Sequence, residues 1–144
     1  GSDFYLYSYR ISYNFGIIKQ LMVKMDNVID LDKAEFFGAS NMLSVIYYTV
    51  GNKLYGYDFA RKKCELLKTF DGNEITLFLS DILVETSSDY FYIALYDPSK
   101  PASTGGMVKK YKVVDDVDHI IVEEEKGSEW KNLCKVKSMA FKTR

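Results

Sequence analysis

The sequence holds one histidine, two cysteines, two prolines and one tryptophan, and each shortage removes a class of chemistry. His119 stands between Asp118 and Ile120, and no serine lies in a G-x-S-x-G elbow, so a nucleophile with its base is not expected. Cys64 and Cys134 are distant in sequence and no second histidine exists, so nothing has the paired spacing of a zinc site. Gly105-Gly106 is the one glycine pair, and no phosphate-loop pattern follows it. No apolar run approaches the roughly 20 residues that span a bilayer. A net charge of −1 offers no basic face for nucleic acid. The expectation is therefore no catalytic residue, no metal, no cofactor and no nucleic-acid partner.

Carboxylates are plentiful but unorganised. Asp26, Asp30 and Asp32 are irregularly spaced, and Asp71-Gly72-Asn73-Glu74 reads as a turn. Neither group matches a calcium loop, which supplies six to eight oxygens. Asp115, Asp116 and Asp118 form the densest acidic group, and Glu123 to Glu125 reads as an exposed strand end. A glycosidase pair of acids meets only in space, so the order of residues selects none. The two cysteines sit among apolar strand residues and read as small buried hydrophobes, with a disulfide between them as the alternative. No signal-peptide pattern opens the sequence, and Gly1-Ser2 reads as a cloning remnant.

What the chain does have is aromatic residues: 12 Tyr and 9 Phe among 144 positions. They fall in alternation, which places them on one side of strands. In Leu54 to Phe59, Tyr55, Tyr57 and Phe59 share one side, with Leu54, Gly56 and Asp58 on the other. Ala60 to Lys63 reverses the chain and Cys64 to Phe70 returns. Shifted back by 48 positions, Leu6 to Ile11 falls on Leu54 to Phe59, and Ile17 to Met25 supplies the return. Shifted forward by 54, Val108, Tyr111 and Val113 fall on Leu54, Tyr57 and Phe59, and Asp118 to Glu125 returns. A hairpin recurring at about 50 residues has the spacing of four-stranded propeller blades.

The rest of the chain fits that period. Ala34 to Ser40 ends in small residues suited to a crowded inner strand, and Leu43 to Val50 leads through the Gly51-Asn52 turn into the central hairpin. Ile75 to Val84 reads as the next inner strand, and Tyr90 to Tyr96, YFYIALY, as a fully buried one. Both prolines lie in a polar, mobile loop from Asp97 to Gly106. Lys126-Gly127-Ser128 reads as a turn before a last strand at Leu133 to Lys142, with Val136, Ser138 and Ala140 on one side. The reading is one all-β domain over 1–144: an outer hairpin at 4–25, blades at 33–70 and 75–125, and a closing inner strand at 133–142. Three blades cannot close a ring of four to eight, so either a longer propeller or a second chain completes it, and a homodimer is one form of the latter. Trp130, after the Gly127-Ser128 turn, is the one candidate for a ligand platform, against a packed role at a blade boundary.

The runs YYTVGNKLYGYDFARKKCELLKTF at 47–70, YFYIALYD at 90–97 and VKSMAFK at 136–142 together resemble the C-terminal, propeller-like part of the PKD-like family lipoproteins of Bacteroidetes. The resemblance covers Leu31 to Arg144. It implies an extracytoplasmic, cell-envelope setting beside nutrient-uptake systems, with a glycan or envelope protein as partner. Membrane attachment would come only through a lipid anchor that this chain lacks, since the family's lipid-attachment cysteine and sandwich repeats have no counterpart here. No catalytic residue carries over. The expected function is a non-enzymatic binding or scaffolding module, with a carbohydrate-active hydrolase and a pure assembly protein as alternatives.

Overall fold

Aromatic and β-branched residues in alternation give strands because a pleated ribbon presents every second side chain to the same neighbour. A computed structural model of the chain describes residues 4–12, 14, 16–40, 45–80 and 89–137, with backbone alone at 8–12, 17–23 and 89. Its strands are β1 (Phe4–Ser12), β2 (Gly16–Met25), β3 (Phe37–Ala39), β4 (Val45–Val50), β5 (Lys53–Asp58), β6 (Lys63–Thr69), β7 (Glu74–Ser80), β8 (Asp89–Tyr96), β9 (Gly106–Asp116) and β10 (His119–Leu133). Among the described residues the one helical element is a 3-10 turn at Leu31–Lys33. The all-β expectation holds.

Strands pair antiparallel with their sequence neighbours into a β1–β2 hairpin and two four-stranded meanders, β3–β4–β5–β6 and β7–β8–β9–β10. The second meander packs on the first, with β3 beside β7 and β6 beside β10. Between them sits one core, in which Val45, Tyr47 and Leu54 meet Phe78, Phe91, Ile93, Leu95, Tyr111 and Val113. Rings interlock there: Tyr47 lies 5.8 Å from Phe78 and 6.0 Å from Phe91, and Phe91 stacks on Tyr111 at 5.3 Å. The close approach of β3 to β7 needs a residue without Cβ. At Gly38 an added Cβ would stand 2.5 Å from Phe78 Cε1, and beside it Ala39 N–H donates to Ser80 Oγ at 3.2 Å.

The other face of the first meander is covered too, which explains why every residue from Leu54 to Asp58 is buried. Met25 to Ile29 crosses it. Asp26 N–H donates to Tyr57 Oη at 3.0 Å. Tyr48 Oη accepts from Ile29 N–H at 3.2 Å and donates to Ile29 O at 2.6 Å. The repeat-related tyrosines Tyr57 and Tyr111 are both fully buried in the third strand of their meanders, each facing what precedes it in the chain. Tyr7, which falls on Tyr55 by the shift of 48 positions, is exposed, whereas Tyr55 is buried.

Several expectations need correction. Gly127-Ser128 is not a turn between strands but lies inside β10, where the pairing with β9 slips between Glu124 and Glu129 and Gly127 takes φ +87°. β10 therefore runs to Leu133, and Cys134 to Lys137 forms no strand. That segment is held instead by Lys135 N–H donating to Ala102 O at 2.7 Å; positions 138–142 of the expected closing strand lie outside the described residues. Residues 43–44 and 81–84 of two other expected strands also lie outside them. The loop from Asp97 to Gly105 is closed by its own bonds, with Tyr96 Oη on Lys100 O at 2.6 Å and Asp97 Oδ1 accepting from Ser99 N–H at 2.9 Å. Both cysteines are free. Cys134 is exposed rather than buried, and Cys64 is half-buried beside Tyr48 Oη at 3.1 Å.

Candidate functional site

Strand alternation splits YFYIALY in two. Phe91, Ile93 and Leu95 enter the core, while Tyr90, Tyr92 and Tyr96 turn to the outer face of the second meander. Lys110, directly opposite Tyr92 on β9, reaches over this face with Nζ 4.2 Å from the Tyr90 ring centre and 5.6 Å from that of Tyr92. Trp130 joins the same face because the slip in β10 sets it opposite Val108. Its ring lies 6.3 Å from Tyr92 and it is 50% exposed. Ala94 and Val108, both buried, make the floor beneath these rings. The result is an aromatic surface with a cation held over it, the Tyr92 and Trp130 rings tilted by 39° to each other. Rings offer stacking and apolar contact, and Lys110 offers donors and a positive charge.

A second feature lies at one end of the meanders. The β4–β5 turn, the β6–β7 turn and the β8–β9 loop, with Glu35 from the segment before β3, line a cleft of about 440 Å³ that includes Asn52, Asn73, Glu74, Ile75 and Pro98. Asn52 Nδ2 is engaged with Phe70 O at 3.2 Å, and Glu74 pairs with Lys135 at 3.7 Å.

The remaining candidates stand apart from both places. His119 is exposed, 3.5 Å from Asp116. Asp26 pairs with Lys24 and Asp30 with Lys33, both at 3.8 Å. Asp115 is taken by Arg61, whose Nη2 donates to its Oδ1 at 2.6 Å. Among the described residues no group of three or more His, Cys, Asp or Glu is placed to hold a metal ion. Nor is any helix among them long and apolar enough to cross a membrane.

No family model, curated protein or solved structure matches the chain. Sequence reasoning singled out Trp130 and did not single out its neighbours on this face, Tyr90, Tyr92 and Lys110. The signal was present in the alternation of YFYIALY, and reading that run as buried on both sides concealed it.

Proposed function

We propose that this chain is a non-enzymatic binding module, built from propeller-type blades, whose outer aromatic face takes a glycan. The single observation that carries the reading is the cluster of Tyr90, Tyr92, Lys110 and half-exposed Trp130 on one rigid sheet face. Sugar rings present flat C–H faces that suit aromatic side chains, and hydroxyls that suit an ammonium donor. A site carried on strands holds its geometry better than one on loops. The blade reading is supported by the packing of one four-stranded meander on another, β3 beside β7 and β6 beside β10, and by the matching burial of Tyr57 and Tyr111. The cell-envelope setting rests on the resemblance alone.

The test is glycan-array screening followed by calorimetry. Trp130→Ala, at an exposed position, keeps the fold and weakens binding about tenfold, a loss of about 1.4 kcal/mol. Unchanged affinity in Trp130→Ala, or no glycan bound at all, removes the reading. The cleft lined by Glu35 and Glu74 is what favours the hydrolase alternative. Turnover of a bound glycan that is lost in Glu35→Gln would put that alternative in its place.

A further inference from the structure

The rings on the outer face of the second meander hold a cation without neutralising it. A π face carries a quadrupole and no net charge, so it orients an ammonium and leaves the full positive charge in place. Lys110 Nζ stands 4.2 Å from the Tyr90 ring centre and 5.6 Å from that of Tyr92. Among the described residues no carboxylate comes within 4.0 Å of it. Strand alternation is the reason. Lys109 lies on the other side of β9 and takes Glu124 and Glu129, both at 3.4 Å, so two acids of β10 are engaged away from the rings. Lys112 adds a second cation to the outer face, opposite Tyr90 on β8. Glu123, opposite Lys112 on β10, shares the face by register but forms no ion pair within 4.0 Å. Asp116, further along β9, is occupied by His119 at 3.5 Å. With Glu123 set against Lys112, the charge of Lys110 is left over.

We infer that the glycan taken by this face is an anionic one, whose carboxylate or sulfate is received by Lys110 while a sugar ring lies on Trp130. This rests on the glycan reading given above and adds to it the charge of the ligand. A neutral hydroxyl that displaces water from an ammonium exchanges one hydrogen bond for a similar one. An anion instead makes a charge-assisted bond, roughly twice as strong. Trp130 and Lys110 both border the Tyr92 ring, at 6.3 Å and 5.6 Å, so one short oligosaccharide reaches both. The rings also hold the ammonium in position before anything binds, which lowers the ordering cost of a long side chain. Beneath them Ala94 and Val108 are buried and apolar, and a charge pair against such a floor is screened less than in open water. Lysine is a compact point charge with three rotatable donors, where arginine has a fixed fork, so it accepts a carboxylate or a sulfate without selecting its geometry.

An array of oligogalacturonates, hyaluronan oligomers and chondroitin sulfates tests the charge, each set beside its carboxyl-reduced or desulfated counterpart and alongside neutral glycans. The expected result is that acidic members bind and their neutralised counterparts bind about fivefold more weakly, a difference that added salt narrows. Which treatment costs more, reduction or desulfation, tells a carboxylate from a sulfate. Lys110→Gln should bind acidic and neutralised members alike with its unfolding midpoint kept. Lys110→Arg should retain the preference, since a guanidinium also stacks on aromatic faces. Neutral glycans bound as tightly as acidic ones by the unmodified chain overturn the inference and leave the glycan reading in place. That comparison needs no variant, so it decides even where Lys110→Gln folds poorly. An acidic preference that survives in a folded Lys110→Gln overturns the inference as well, because the anion would then lie elsewhere. A chain that binds no glycan of either kind removes both the inference and the reading beneath it.

Discussion

Val117 is a β-branched residue with φ +50° at the turn between β9 and β10, and it is 84% exposed. Left-handed backbone costs an L-residue roughly 1–2 kcal/mol, and nothing buried repays it here. What the position supplies is its carbonyl, which accepts from Arg61 Nη2 at 2.8 Å. Val117→Gly keeps that carbonyl and removes the strain. The variant should be more stable by on the order of 1 kcal/mol in denaturant unfolding, the gain being trimmed by glycine's greater unfolded-state freedom. Glu65 is a second case. Burial acts to raise its pKa, but hydrogen bonds from Lys63 and from Ile120 N–H at 3.1 Å outweigh it and hold the carboxyl below its ordinary range. Because the folded pKa is the lower one, the stabilisation is present at neutral pH and is lost as pH falls below about 4 through the folded value. Stability curves measured between pH 6 and 3 should therefore fall less steeply in Glu65→Gln than in the parent.

At the scale of elements, two glycines decide how strands meet. Gly38 lets β3 approach β7, as described above. Gly106 does the same at the start of β9, where an added Cβ would run into the carbonyls of Leu133 and Cys134. Backbone cannot rotate aside as a flexible side chain can. Gly106→Ala should cost about 1–3 kcal/mol, as overpacking of a close contact does, and should loosen the end of β10. The check is thermal unfolding together with exchange of the Lys135 amide, which is bonded to Ala102 O in the parent. The slip in β10 belongs to this scale as well. Gly127 in the left-handed region absorbs extra residues without ending the strand, and that insertion brings Trp130 onto the face of Tyr92. Glycine and serine after a lysine read as a turn, yet a bulge uses the same residues to bend a strand that continues.

At the scale of the molecule, Arg61 joins the two meanders beside their core, together with the bonds of Ala39 N–H to Ser80 Oγ and of Ile120 N–H to Glu65 Oε2. Its guanidinium donates to Asp58 at 2.7 Å in the first sheet and to Asp115 at 2.6 Å in the second. Asp58 is buried, so removing the cation leaves a carboxylate with two backbone donors, Ala60 N–H and residue 61 N–H, but no counter-charge. Arg61→Ala should lower the unfolding midpoint, and more so than Asp115→Asn, whose carboxylate is exposed. Arg61→Lys should recover only part, since a single ammonium cannot reproduce the two-sided fork. Calorimetry of the three variants orders them.

Much of this was written in the order of residues. Alternating aromatic positions demanded strands, Gly51-Asn52 and Gly72 demanded turns, and local hydrogen bonding then allowed little but antiparallel meanders. These are short-range effects, settled by a residue and its near neighbours. Which side of YFYIALY stays open, where β10 bends, and that Arg61 would find Asp115 are not short-range. They depend on one sheet covering another, and burial is a property of two surfaces brought together from distant parts of the chain. The aromatic face could be assembled only once the second meander had turned its other side to the core.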